Sequence, residues 1–266
     1  MGRTIRYIIM ALLLAVFCTA GGVIFFTRQN YEKEDKVYEQ LAEEYTSHVR
    51  EEKPSDAASP EEAEAPEKAP LEVDFDRLKE INGDVAGWIY CEDTAIDYPI
   101  LQGEDNDYYL HRNIERQSQS AGSIFVEAAN QPGFEDSNTI IYGHHMKNGS
   151  MFAALDDWAE QEFYEAHPVI WLLTPEQDYK ILVFAGYTTS AASDTYTIFT
   201  GPCSELEEYL EQCVEKSDFR ASVEISGEEL RDGLDGSRRY VVLSTCAYSF
   251  EDARYVLHGV LVPVER

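Results

Sequence analysis

The sequence predicts a mainly β fold: an eight-stranded barrel, closed or nearly closed, with a helix at its N-terminus and a longer helix before its last strands. The first observation is a set of eight short runs rich in β-branched and aromatic residues, a composition typical of strands. The second is that turn-forming clusters such as GEDND, NQPG and TPEQD separate the runs. Eight such strands favour a barrel. The runs are AGWIYC, AIDYPIL, GSIFVE, NTIIYGH, VIWLLT, YKILVFAGYTT, RYVVLSTC and YVLHGVLV.

Two short helices are predicted beside the strands. The first has its apolar residues on one helical face and stops at Asn82-Gly83, which is a C-cap signal. The second follows the NGS turn. Their apolar positions are Phe75, Leu78 and Ile81 in the first, and Met151, Phe152, Leu155 and Trp158 in the second.

A longer helix is predicted from Ser204 to about Glu215, before the last two strands. Ser204 and Glu207 match a capping box, in which each side chain satisfies a backbone amide at the start of the helix. The apolar residues recur with helical spacing, which predicts one buried face. They are Leu206, Tyr209, Leu210, Cys213 and Val214.

Residues 7–27, YIIMALLLAVFCTAGGVIFFT, form an uncharged segment long enough to cross about 30 Å of hydrocarbon as a helix. Arg3 and Arg6 precede it and indicate that residues 1–6 are cytoplasmic, although Arg28 counts against this. A cleaved signal peptide is the alternative, but its apolar region is usually about 7 to 15 residues long and ends in an A-x-A site, which we do not find. Cys18 is expected to face lipid. The sequence thus predicts a single-pass membrane protein.

Residues 28–53 are strongly charged, with aromatic and aliphatic residues at three- and four-residue steps, and we expect a helical stalk there. Residues 54–70 contain mainly Pro, Ala and Glu without a large apolar side chain, and such a segment cannot repay the entropy of ordering. We interpret it as a linker that holds the folded part away from the membrane. Residues 71–266 have the length of one domain.

The net charge restricts the partners. The chain carries 50 acidic and 21 basic residues, a formal charge of −29. Binding to nucleic acid depends on Lys and Arg that neutralise phosphates, so this composition argues against a nucleic acid partner.

The cysteines of the predicted domain differ in their surroundings. Cys213 lies on the apolar face of its helix and Cys91 ends an apolar run, so both are expected to be buried. A disulfide between Cys203 and Cys213 stays open, since spacing alone supports it poorly. No C-x-x-C pair occurs, which makes a structural zinc site unexpected. Cys246 instead ends a strand and precedes polar turn residues, so it should lie at a barrel rim, where side chains meet solvent and ligands.

A thiol with the ordinary pKa of about 8.5 needs a base or a cation beside it to act as a nucleophile. His144 and His145 end another apolar run, also at a predicted rim. Adjacent residues of a strand face opposite sides, so only one of them can approach Cys246. Arg254 follows Cys246 by eight positions and begins the last strand, whereas His258 lies inside that strand.

These motifs resemble those of the sortase family. VVLSTC with Arg254 beyond it, and NTIIYGHHMKNGSMF about a hundred residues upstream, are similar to the cysteine, arginine and histidine motifs of sortases. The segments VDFDRLKEINGDVAGWIY and TAIDYPILQGEDNDYYLHRNIERQSQSAGSIFVE, with the helix near Ser204, resemble class B sortases in particular. The resemblance covers about Val73 to Pro263 and the N-terminal anchor. It implies the eight-stranded sortase barrel with the class B helices, residues 71–266 being the catalytic domain.

The resemblance also implies roles. Cys246 would be the nucleophile, His144 the general acid and base, and Arg254 the cation that holds the oxyanion or the peptide carbonyls. His145 would be the outward neighbour of His144. Substrate contacts are expected at Ser244, Thr245 and Tyr142, and neither a cofactor nor a metal is implied.

The implied reaction is transpeptidation. The enzyme would cleave the C-terminal sorting motif of surface proteins through a thioacyl intermediate, and pass the acyl group to an amine of a lipid-linked peptidoglycan precursor. It would act outside the cell, held to the membrane by its N-terminal helix.

Three alternatives use the same residues differently. A membrane-anchored cysteine hydrolase would transfer the acyl group to water. A pilus-polymerising sortase would use a lysine amine, but no DPW-like lid sequence is present. In a non-catalytic binding module, Cys246 would serve only for packing.

Overall fold

A computed structural model of the chain describes residues 2–49, 68–222, 238–247, 249 and 252–266. Its helices are α1 (Arg3–Tyr45), α2 (Phe75–Ile81), α3 (Gln161–Ala166) and α4 (Ser204–Lys216). Its strands are β1 (Thr46–His48), β2 (Leu71–Val73), β3 (Val85–Tyr90), β4 (Asp97–Leu101), β5 (Ile124–Val126), β6 (Asn138–Tyr142), β7 (Val169–Leu173), β8 (Asp178–Ser190), β9 (Arg239–Cys246) and β10 (Ala253–Val264).

The last eight strands close into a barrel in the order β10-β8-β7-β3-β4-β5-β6-β9. Most neighbours are antiparallel, while the pairs β4–β5 and β6–β9 are parallel. Strand β9 therefore lies between β6 and β10 and pairs with both. Each of the eight predicted runs coincides with one barrel strand, so the predicted barrel is confirmed.

On β9, strand alternation divides the buried residues between two apolar clusters. Val241 and Leu243 belong to the larger cluster, which also contains Trp88 of β3 and the buried residues of α1 and α2. The intervening Tyr240 and Val242 face outward and belong to the smaller cluster. That cluster lies under α4, because its apolar face covers this side of the barrel. The α4 residues buried there are Leu206, Tyr209, Leu210 and Cys213.

For the helices, the predicted apolar faces are closer to the structure than the predicted ends and caps. α2 covers the predicted positions, and Asn82 is its C-cap. The helix after the NGS turn is a 3-10 helix, Phe152–Ala159. The capping-box prediction is wrong: α4 has Cys203 as N-cap, without a side-chain cap, and the Ser204 hydroxyl bonds the neighbouring Glu205 carboxylate instead.

Helix α1 runs without a break from the apolar segment into the charged segment predicted as a stalk. It ends at Tyr45, short of the predicted residue 53. Its last part packs on the barrel: Tyr38 and Leu41 are buried in the larger apolar cluster, and the Tyr38 hydroxyl donates to the Gly122 carbonyl oxygen. Burying side chains of this size contributes about 1.5–3 kcal/mol each. The part of the predicted stalk around Tyr38 and Leu41 thus packs against the barrel.

Val49, before the predicted linker, and Pro70, its last residue, lie side by side. β1 pairs antiparallel with β2, and the Val49 amide donates to the Pro70 carbonyl oxygen over 2.9 Å. Residues 54–67 of that linker lie outside the described residues. The chain therefore leaves the described part and re-enters it at neighbouring positions.

The cysteine predictions can be compared with the structure directly. Cys91 and Cys213 are buried, as predicted. All five cysteines are free thiols, so the Cys203–Cys213 disulfide that the spacing left open is absent here.

Candidate active site

Cys246 and Arg254 face each other across two neighbouring strands. Cys246 is the last residue of β9, and Arg254 near the start of β10 is its direct partner in the antiparallel register. Side chains of directly opposed residues lie on the same face, with Cβ atoms about 4.5–5.5 Å apart. The register therefore brings the thiol and the guanidinium together.

The parallel pairing of β6 with β9 brings His144 to the same place. Tyr142 pairs with Ser244, and the Gly143 amide donates to the Ser244 carbonyl oxygen over 3.1 Å. Continued by two residues on each chain, this register places His144 beside Cys246. A surface groove of about 350 Å³ is lined by all three candidate groups. Its lining comprises Asn106, Leu110, Phe125, Tyr142, Gly143, His144, Ala191, Tyr196, Ser244, Thr245, Cys246 and Arg254.

The His144 ring is held by the backbone. Its Nε2 lies 2.8 Å from the Leu110 carbonyl oxygen. A carbonyl can only accept, so Nε2 carries the proton in the neutral ring and Nδ1 is left with its lone pair. Burial lowers the pKa of His144, and the nearby His111 lowers it further, while the bond to Leu110 opposes the shift. The imidazole is therefore neutral at pH 7, with Nδ1 as the nitrogen able to take a proton.

His145 points elsewhere. Its Nε2 lies 3.0 Å from Oδ2 of Asp156, which places the imidazole against the 3-10 helix that follows. It does not line the groove around Cys246. The neighbouring histidines thus separate as strand alternation predicts, and only His144 approaches the cysteine.

Arg254 supplies positive charge to a groove with two tyrosines. Burial raises the pKa of Tyr196, and the charge of Arg254 partly offsets this for both Tyr196 and Tyr142. The rings of Tyr142 and Tyr196 stack with centroids 6.2 Å apart. Nη1 of Arg254 donates to the Ala253 carbonyl oxygen over 2.9 Å, which holds one side of the guanidinium group in place. The remaining N–H groups are suited to bind a carbonyl oxygen that gains charge.

The three predicted substrate contacts differ in their hydrogen bonds. Ser244 and Tyr142 line the groove and are already bound within the protein: the Ser244 hydroxyl lies 2.8 Å from that of Tyr196, and the Tyr142 hydroxyl donates to Glu127 over 2.9 Å. Thr245 also borders the groove, but its hydroxyl is buried and has no hydrogen-bond partner among the described residues.

Sequence reasoning missed two contributors. Tyr196 comes from the loop between β8 and α4, where turn-forming residues predict no fixed position for a side chain. Leu110 acts through its backbone carbonyl, which every residue type has, so no pattern of side chains could reveal it.

Comparison with known proteins gives a consistent result. The sortase domain family matches residues 89–262. Sortase B of Listeria monocytogenes is 40% identical over 189 residues, covering 70% of this chain and 72% of that protein. Sortase B of Staphylococcus aureus is 29% identical over 239 residues, covering 89% and 85%. The structure of a Staphylococcus aureus sortase B-substrate complex superposes with a TM-score of 0.66 at 27% identity, over 90% of this chain and 97% of that one.

Proposed function

Because the chain belongs to the sortase family and is a class B sortase, a cysteine transpeptidase, we propose that Cys246, His144 and Arg254 carry its chemistry. The observation that supports this most directly is the strand register, which brings His144 just after β6, Cys246 on β9 and Arg254 on β10 to one end of the barrel. The fold alone does not imply these roles; the types of the three groups and their common groove support them.

In the first half of the reaction, Nδ1 of His144 takes the proton of the Cys246 thiol. The thiolate attacks the scissile carbonyl of the sorting peptide, and the guanidinium of Arg254 binds the oxygen that becomes negative. The C–N bond then breaks, and the imidazolium of His144 returns the proton to the departing amine. The peptide is left as a thioester on Cys246.

In the second half an amine replaces the thiol. Neutral His144 takes a proton from the attacking amine, whose nitrogen bonds to the thioester carbon. The C–S bond breaks, the Cys246 thiolate leaves, and it recovers its proton from His144. The lowered pKa of His144 suits this step, because the ring must accept a proton at neutral pH.

As a sortase the chain binds sorting-motif substrates, and the finer assignment is part of the proposal. The donors are surface proteins with a C-terminal sorting motif, and the acceptor is an amine of a lipid-linked peptidoglycan precursor. Tyr142, Ser244 and Thr245 border the groove and would contact the peptide. Sortases are cell-surface enzymes, and α1 contains a segment that is long and apolar enough to cross a membrane. We place residues 7–27 in the membrane and the barrel outside the cell.

The test is to trap the acyl-enzyme. The chain from Arg28 onward, which keeps the docked part of α1, is incubated with a peptide library, and the adduct on Cys246 is identified by mass spectrometry. We expect a thioester that disappears when an amine is added, with formation of a peptide–amine product. A peptide released only as the free acid would support the hydrolase instead. An adduct on another residue would refute the assignment of Cys246.

A further inference from the structure

The direction in which α1 lies along the barrel sets which end of the barrel faces the membrane. Tyr31 is the first residue of α1 that packs against the domain, and its first side-chain hydrogen bonds to the barrel are at Glu34 and Asp35. The Glu34 carboxylate accepts from the Ser120 hydroxyl over 2.8 Å, and Asp35 accepts from the Asn148 amide over 2.7 Å. Ser120 precedes β5 and Asn148 follows β6. Both loops lie at the end of the barrel where β6 and β9 finish, the end that holds the candidate active site.

The later contacts of α1 are at the other end of the barrel. Arg77 bonds the Glu44 carboxylate over 2.6 Å, just before α1 gives way to β1. Strand β2 lies beside the strand ends opposite the active site. One surface groove there is lined by Leu71 of β2, Asp178 at the start of β8 and Arg266 after β10. Helix α1 thus runs down the barrel from the active-site end to the far end.

The apolar segment of α1 must therefore project beyond the active-site end. From Thr27, the last residue of that segment, to Glu34 the helix rises about 10 Å at 1.5 Å per residue. Side chains before Thr27 are open to the surroundings, Phe26 being 70% exposed. We propose that the membrane surface is an interaction partner of the active-site end, and that the catalytic groove faces the lipid headgroups across this short distance. This inference rests on the membrane anchor of the proposed function.

The charge of the two loops that contact α1 fits this orientation, whereas the turn between β3 and β4 at the same end carries Glu92 and Asp93. Residues 117–126 and 138–155, which include the two loops that contact α1, contain no Asp or Glu, in a chain with 50 acidic residues. A surface groove toward the far end is instead lined by several carboxylates: Asp84, Glu104, Asp105, Glu135 and Glu176. Anionic lipid headgroups repel carboxylates within a Debye length, so the loops without acidic residues are the ones suited to the membrane.

The orientation bears on the reaction. An acceptor attached to a lipid, and a peptide motif next to a substrate's own membrane segment, both lie close to the headgroups. A groove that faces the bilayer meets both without either leaving the membrane. An enzyme with its groove at the far end would need each substrate to extend along the length of the barrel.

Energy transfer to the membrane tests the orientation. An azide-bearing amino acid replaces either Lys147 or Glu176 in the full chain and is coupled to a donor dye, since both side chains are exposed at opposite ends. The variants are reconstituted in phosphatidylglycerol–phosphatidylcholine vesicles with acceptor-labelled headgroups. The stretch of α1 from Asp35 to Tyr45 alone separates the sites by about 15 Å, so we expect transfer from position 147 to be roughly twofold higher.

A helix break provides the matched control. Gln29→Gly with Asn30→Pro interrupts α1 between the anchor and the docked part, because proline cannot continue the hydrogen bonding of a helix. The difference between positions 147 and 176 should shrink in this variant, while cleavage of a free peptide in detergent is unchanged. Equal or reversed transfer in the unbroken chain would overturn the orientation. If an alkaline carbonate wash removes the chain from the vesicles, the anchor itself is wrong, which is a separate outcome.

Discussion

Two regions of the molecule contain the same types of side chain in different surroundings. The groove at the strand ends holds Cys246, His144 and the stacked Tyr142 and Tyr196. The cluster under α4 holds Cys213, His258, Tyr187 and Tyr209, where the rings of Tyr187 and His258 stack with centroids 5.2 Å apart. A cation stands beside each: Arg254 in the groove, and Lys216 near the Tyr187 ring.

Burial decides which set can react. Under α4, desolvation raises the pKa of Cys213 to about 11 and lowers that of His258 to about 3. The thiol and the imidazole are then both neutral and closed to any ligand. In the groove the thiol and the imidazole are only partly buried. The comparison supports the proposal that a cysteine and a histidine can act as a reactive pair where they lie at open strand ends.

The largest expected difference between the two regions is in the effect of replacing their cysteines. Cys246→Ser is expected to lower kcat/KM by on the order of 10⁴-fold or more, as loss of a nucleophile does. Cys213→Ser should leave kcat/KM unchanged and lower the free energy of unfolding by about 1–3 kcal/mol, because it buries a hydroxyl. Peptide cleavage kinetics and urea unfolding measure the two effects. Activity retained by Cys246→Ser would contradict the assignment.

The next largest difference is expected between substitutions of the adjacent histidines, His144 and His145. His144→Gln is expected to reduce kcat/KM by about 10²–10⁴-fold, the usual contribution of a general acid/base. His145→Gln should stay within a few-fold of the parent, because that ring bonds Asp156 outside the groove. In the parent chain kcat/KM should fall with acid only below the ordinary histidine pKa of about 6.5, since the pKa of His144 is lowered. An acid limb above that pH would argue against His144 as the base.

The two cations allow a smaller contrast. Arg254→Gln removes the group expected at the developing oxyanion and should cost about 10²–10³-fold in kcat. Lys216→Gln, next to the buried cluster, should leave kcat as it is. Single-turnover acylation with a peptide substrate separates this chemical step from product release. If both substitutions lowered kcat equally, Arg254 would affect the reaction only by stabilising the fold.

The buried histidine should make stability depend on pH. Between about pH 6.5 and 3 the unfolded chain protonates residue 258 and the folded chain does not, so the stabilisation is complete above this window and is lost as the pH falls through it. The slope is at most about 1.4 kcal/mol per pH unit. His258→Phe keeps the ring beside Tyr187 and should reduce the slope. Urea unfolding at pH 4 to 7 measures it, and identical slopes would refute the effect.

The smallest effect concerns the chain just before His144. A Cβ on Gly143 would lie 2.5 Å from Cδ1 of Ile124 and 2.6 Å from the Phe152 ring. Gly143→Ala is therefore expected to cost about 1–3 kcal/mol of stability through overpacking, and to lower kcat by displacing His144. Gly201→Ala, with nothing within 4 Å of its Cβ, is the matched control and should be nearly neutral. Thermal unfolding of both variants would test this.

The sequence separated the two regions through its local patterns. Cys213 repeats with the apolar face of a helix, whereas Cys246 follows a strand and precedes turn residues, and both surroundings were predicted correctly. The eight strands were predictable because β-branched runs and turn clusters are local signals.

Contacts between distant segments were not predictable in this way. The docking of α1 depends on contacts of Tyr38 and Leu41 with residues far along the chain. The three- and four-residue spacing of its apolar residues does not show which part of the protein they pack against. The capping motif at Ser204 failed because its hydroxyl bonds the adjacent carboxylate. The carbonyl that orients His144 leaves no trace in the residue type of Leu110.

The pairing of β1 with β2 also makes the acidic stretch between them a natural insertion site. The end of β1 and the start of β2 are adjacent, so a reporter domain inserted between them should not separate the two strands. Closure entropy rises only by about 0.6 kcal/mol for each doubling of loop length, so this position should tolerate cargo that other parts of the domain would not.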